Sequence, residues 1–129
     1  MSSKSYLLDA SALLAAIHNE LGGELVQQII EESAVSSVNW SEVLQKLNRA
    51  GADTQAITAA LKALGLEIIG FNDDDASIAA SLWPETKSLG LSLADRACLA
   101  TGRRLKLTVV TADKVWEALN TEQSIKLIR

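Results

Sequence analysis

The stretch Leu91–Trp116, LSLADRACLATGRRLKLTVVTADKVW, decides the fold, because it reads as helix, buried strand and second helix start in immediate succession. Ser92 followed three residues later by Asp95 has the form of a capping box, which predicts a helix from there to about Arg103. The run 107–111 is apolar and β-branched, the composition of a strand covered on both faces, and Thr111-Ala112-Asp113 then turns into another helix. Asp95 and Asp113 thus stand near two successive helix starts, at one end of the fold.

The same alternation runs through the rest of the chain. Residues 5–9, SYLLD, form a short strand that meets a helix over 10–20 at Asp9. Gly22 and Gly23 break that helix, and a second follows over 24–32. A strand over 34–38 leads into Asn39-Trp40-Ser41, which offers helix caps, so that Glu42 begins an amphipathic segment and repeats the placement of Asp9. Gly51 ends this segment, a helix over 53–64 ends at Gly65, and 66–71 is a third strand. Residues 72–75 cap a long helix that Pro84 kinks or interrupts before Gly90, and after the opening stretch come a helix over 115–120 and a last strand over 124–128. Strands that alternate with helices predict an α/β fold with a mainly parallel sheet of about five strands and helices on both faces. In such sheets ligands bind beyond the carboxyl ends of the strands, which is where Asp9, Glu42 and Asp113 fall.

With 129 residues and 48% hydrophobic content, one domain over 1–129 is expected. The net charge of −4 gives no bulk attraction to nucleic acid, so a polyanion would have to be met by a local basic patch or a bound metal. The single cysteine, Cys98, precludes an internal disulfide and fits a reducing compartment. The start MSSKSYLL is too short an apolar run for a signal peptide and no membrane-length apolar run follows, so a soluble, cytoplasmic protein without membrane contact is expected.

Each of Asp9, Glu42, Asp95 and Asp113 taken alone is explained by the preference of acids for helix N-termini, worth about 0.3–1 kcal/mol. Ser11, Ser41, Ser92 and Thr111 stand beside them, however, and hydroxyl caps from these would leave the carboxylates free to point outward. Converging carboxylates raise one another's pKa and call for a cation. Mg²⁺ or Mn²⁺ suits such oxygens, activates water and stabilises charge on a phosphoryl group, so phosphodiester hydrolysis is the chemistry these residues favour.

The segments YLLDASALLA, VSSVNWSEVLQKL, GLSLADRACLA and VVTADKVW resemble, in this order, the acidic motifs of PIN-domain nucleases, and in particular the VapC-type toxins of type II toxin–antitoxin systems. The resemblance covers nearly the whole chain and implies a three-layer α/β/α PIN-like fold. It implies that Asp9, Glu42, Asp95 and Asp113 form a catalytic, metal-binding quartet with Asp9 and Asp95 as direct ligands, and that Ser11, Asn39 and Thr111 surround it. It further implies an Mg²⁺- or Mn²⁺-dependent endoribonuclease, an RNA substrate, a homodimer and a cognate antitoxin protein. The alternatives are a housekeeping PIN nuclease without an antitoxin and a PIN-like module that only binds. A phosphoryl-transfer or signalling α/β domain fits less well: Ser11 occupies the place of the general acid Asp that a haloacid-dehalogenase phosphatase needs, and the paired acids of a receiver domain are missing.

Arg96 and Lys114, each directly after a site acid, are the candidates for phosphate contact. Asp73, Asp74 and Asp75 are expected to be a solvated helix start, His18 a surface residue and Cys98 a small core residue. Trp40, Trp83 and Trp116 are expected in the core or an interface.

Overall fold

A computed structural model describes residues 3–129. It contains a five-stranded parallel sheet in the order β3-β2-β1-β4-β5, built from β1 (Tyr6–Leu8), β2 (Ser33–Ser36), β3 (Glu67–Ile69), β4 (Thr108–Thr111) and β5 (Ile125–Leu127). All five expected strands are present, four of them trimmed at their ends, while β2 starts one residue before the expected 34–38 and ends two residues short of it. Adjacent side chains alternate between faces. Leu8, Val35 and Val110 belong to a core with α1 (Ala10–His18), α2 (Gly23–Ile29), α3 (Ser37–Arg49) and α4 (Thr54–Ala63). Leu7, Ala34 and Val109 join a second core with Cys98 and Leu99 of α7 (Leu93–Leu105) and with Trp116. On that side also lie α5 (Asp73–Ser81) and α6 (Trp83–Thr86), completing three layers of helices, sheet and helices.

The differences from the expected elements have local causes. The helix over 24–32 stops at Ile29 and tightens into a 3-10 turn, Ile30–Glu32, before β2. Pro84 starts a fresh turn rather than kinking a long helix, since a proline needs no N–H partner in the first turn; α6 and a 3-10 turn, Lys87–Leu89, follow. The helix expected over 115–120 is a 3-10 turn, Lys114–Ala118. The largest shift concerns α3. Ser36 caps it by accepting from Val38 N, so the helix begins five residues before Glu42, and Glu42 lies in its second turn instead of at its start.

The acid run that opens α5, expected to be a solvated helix start, is not uniformly solvated. Asp73 and Asp74 are exposed, but Asp75 is fully buried and takes the Arg104 guanidinium at 2.5 Å from Nε and 3.1 Å from Nη2. Thr101 Oγ1 also donates to it at 3.1 Å, and a capping box with Asn72 completes the carboxylate's shell. Burial alone would raise the Asp75 pKa, but the bonds from Arg104, Asn72 and Thr101 and the Arg104 charge outweigh it and hold the carboxyl below its ordinary value. This pair ties α5 to the last turns of α7.

Candidate active site

The chain runs β1, β2, β3 outward to one edge and then places β4 and β5 on the other side of β1. The strand order therefore reverses between β1 and β4, the position at which α/β sheets open a crevice for ligands. Asp9 ends β1 there: its backbone N donates to Val110 O at 3.0 Å and continues the β1–β4 ladder by one step. The residue then caps α1, its Oδ1 accepting from Ala12 N at 2.8 Å.

Asp9 is 3% exposed, and both carboxylate oxygens are engaged. Ser11 Oγ donates to Oδ1 at 2.7 Å, and Thr111 Oγ1, at the end of β4, donates to Oδ2 at 2.5 Å. Ser11 Oγ in turn accepts from Ala112 N at 2.9 Å, and Thr111 Oγ1 accepts from Asp113 N at 3.1 Å. Two hydroxyls thus weld the ends of β1 and β4 around one carboxylate. Ser11 serves Asp9 and does not replace it as the cap, contrary to the expectation that hydroxyls would free the acids from capping. Asp113 also caps, its Oδ1 accepting from Val115 N at 3.0 Å, whereas α7 has the expected capping box: Ser92 Oγ accepts from Asp95 N at 3.1 Å and Asp95 Oδ2 accepts from Ser92 N at 2.9 Å.

Desolvation pushes the Asp9 pKa up from 3.8 to about 6; the bonds from Thr111, Ala12 and Ser11 oppose it, and the negative charge of Asp95 adds to it. Cys98 reports on the same field from below. It is fully buried, and its thiol is pushed well above its ordinary pKa by burial first and then by the charges of Asp9, Asp95 and Glu42. Three of the four acids, Asp9 at the cap of α1, Glu42 in α3 and Asp95 in α7, thus lie near enough to Cys98 for their charges to act on it. Asp113 is exposed and is joined to it through the backbone contact with Thr111.

Asp9 and Asp75 are the two buried acids among the described residues, and they differ in one respect. Asp75 has its arginine, whereas the described ion pairs, Arg104–Asp75 and Arg129–Glu20, leave Asp9 without a cation. A buried carboxylate facing another acid with no positive partner is an environment that a divalent cation would relieve. Among the described residues no three Asp, Glu, His or Cys side chains are grouped closely enough to form a ligand cage. Mg²⁺ does not require one, because it retains waters and commonly takes one or two carboxylates together with substrate phosphate oxygens. The carboxylates Asp9 and Asp95 are donors of the kind a hard cation prefers, and they are the residues here that could hold one.

The other candidate residues separate by location. Asn39 is buried and donates to Glu42 Oε1 at 3.0 Å. Arg96 turns its guanidinium toward α5, Nη1 donating to Ala79 O at 3.0 Å, whereas Lys114 is exposed next to Asp113. His18 is exposed, and of the tryptophans Trp40 and Trp116 are buried while Trp83 is half exposed under the Lys87 ammonium. Sequence reasoning missed the cap from Ser36 and the bond from Asn39 to Ala94 O at 3.1 Å; the i, i+3 spacing of Asn39 and Glu42 was the available signal for the first half of that clamp.

A family model described as PIN domain matches residues 6–121. The chain belongs to the PIN domain family. The match spans every strand except β5 and includes all four acids. Solved structures share this fold. A toxin–antitoxin complex from Klebsiella pneumoniae superposes with a TM-score of 0.78 at 20% identity, over 97% of this chain and 98% of that one. DNA-bound VapBC from Salmonella typhimurium gives 0.74 at 14% identity, over 98% and 99%. VapC20 of Mycobacterium tuberculosis, described as a sarcin-ricin loop cleaving toxin, gives 0.70 at 17% identity, over 92% and 98%. At these identities the likeness is one of fold. No curated protein sequence matches the chain. Among the described residues no helix is long and apolar enough to cross a membrane.

Proposed function

We propose that this PIN domain, over 1–129, is a metal-dependent endoribonuclease acting as the toxin of a toxin–antitoxin pair. The observation that carries the nuclease reading is the buried, cation-free Asp9 at the strand-order reversal, with Asp95 and Glu42 in the same field. Asp9 and Asp95 would hold Mg²⁺ or Mn²⁺, with Glu42 and Asp113 at its periphery. When bound, the ion acidifies water and stabilises charge on the phosphoryl group. Ser11 and Thr111 hold both Asp9 oxygens in place, which fixes the carboxylate before substrate arrives. Lys114, exposed beside Asp113, is available to a phosphate.

Cleavage of a fluorogenic single-stranded RNA is expected to require Mg²⁺ or Mn²⁺ and to stop with EDTA. Below about pH 6 a proton occupies Asp9, so metal affinity should fall roughly tenfold for each further pH unit. The acid limb of the rate profile should therefore move to lower pH as Mg²⁺ is raised. A limb that ignores Mg²⁺ concentration, or full activity in EDTA, contradicts the metal site.

The toxin reading draws on two features. Solved structures of like fold include toxin–antitoxin complexes, and this chain exposes the large apolar side chains Leu21, Leu25, Leu64, Trp83, Leu93 and Val115, which a partner could cover. A homodimer and a protein antitoxin would cover them. Light scattering and cleavage assays, each with and without the product of an adjacent small gene, are expected to show a dimer that binds the product and is silenced by it. A strict monomer indifferent to that product would point to a housekeeping PIN nuclease, and a folded chain that binds RNA without cutting it to a binding module.

A further inference from the structure

Asn39 is 1% exposed and sits in the first turn of α3, one turn before Glu42. Its side-chain amide uses both hydrogens on the site: Nδ2 donates to Glu42 Oε1 at 3.0 Å and to the backbone oxygen of Ala94, the residue before Asp95, at 3.1 Å. Its own oxygen, Oδ1, is buried and takes no hydrogen bond among the described residues. Leaving a buried acceptor unmet is unfavourable. Rotating the amide would be worse, because Oδ1 would then face Glu42 Oε1 and Ala94 O, both acceptors. The fold thus spends both amide hydrogens on two acid-bearing helices and gives Oδ1 no partner among the described residues.

We propose that Asn39 is a positioning residue that fixes the Glu42 carboxylate against the start of α7, and so sets the spacing between Glu42 and Asp95; the inference rests on the metal-site reading above. A neutral amide suits the task. It donates to the carboxylate without bringing a charge of its own, so the carboxylate's charge is left for a cation, which is not so for Asp75 with its arginine. The second bond, across 55 residues of sequence, turns a contact within α3 into a clamp between α3 and α7.

The test uses the full chain with Asn39→Ala and with Asn39→Asp, which keeps the shape and removes both donors. Mn²⁺ binding is followed by electron paramagnetic resonance, cleavage by kcat and KM on single-stranded RNA, and folding by thermal melting. Both variants are expected to fold, to bind Mn²⁺ about tenfold more weakly and to lose about tenfold or more in kcat, with KM for RNA changed less than about threefold. In a Glu42→Gln background, Asn39→Ala should add no further loss to either quantity, since it acts through that carboxylate. Unchanged Mn²⁺ affinity and kcat, losses that simply add to those of Glu42→Gln, or collapse of the fold in both variants overturn the proposal. If the unaltered chain binds Mn²⁺ but cuts no RNA, the nuclease reading fails and the Mn²⁺ measurements still decide the role of Asn39. A chain that binds no Mn²⁺ overturns both.

Discussion

Asp9→Asn is expected to stabilise the metal-free protein and to silence it. Folding moves the Asp9 pKa from 3.8 to about 6, so the folded state holds this proton more tightly than the unfolded state does. Stability contributed at this site is therefore fully present below about pH 4, declines as pH rises toward 6, and is absent above it, a swing of about 3 kcal/mol. Asparagine keeps the shape and cannot ionise. It loses part of the bond from Thr111, so the net gain near neutral pH should be roughly 1–2 kcal/mol, a few degrees in Tm, and the decline between pH 4 and 6 should flatten. RNA cleavage should fall by about 10³-fold or more, equivalent to roughly 4 kcal/mol of transition-state stabilisation. Melting curves across pH and single-turnover cleavage check the two halves separately. A variant that is less stable at every pH and still active would remove Asp9 from the site.

The second large effect lies away from the chemistry. Arg104→Met should cost about 2–4 kcal/mol, because it strands the fully buried Asp75 carboxylate with only Thr101 and the Asn72 backbone for partners. Arg104 is itself 24% exposed, which keeps the loss below that of a fully enclosed pair. The folded Asp75 pKa is depressed, so its contribution is present above the unfolded value of 3.8 and disappears as pH falls through the folded one. Adding Asp75→Asn to Arg104→Met should recover part of the loss. Urea denaturation measures both, and cleavage per folded molecule should stay within about twofold of the unaltered chain.

The contrast between these two aspartates shows where sequence reading succeeds. Strands were legible because runs such as LTVV are covered on both faces, and the acids at strand ends followed from the β-α alternation. Helix starts were less so. Ser36 outcompeted the later caps and moved α3 forward, so Glu42 came to the site from within a helix, an outcome that depends on the tertiary placement of Asn39 and Ala94. Asp75 lies in a run of three acids whose local pattern says solvent, and only Arg104, distant in sequence, makes it a buried one. Cap signals are local, and burial is not. For the same reason nothing in the sequence indicated that Ser11 and Thr111 would hold opposite oxygens of the same carboxylate.

The position of β4 beside β1 also dictates when the protein can become active during synthesis. Leu8 pairs with Val110, and Asp9 receives its bond from Thr111 across 102 residues. β1 finds β2 early, but its neighbour on the other side is missing until roughly four-fifths of the chain has been made, and closing so long a loop is a slow, late event in folding. Every fragment that ends before β4 has Asp9 without Thr111, and a fragment ending before Leu93 has no Asp95 at all. Synthesis in this order leaves the setting of Asp9 incomplete until β4 has been made.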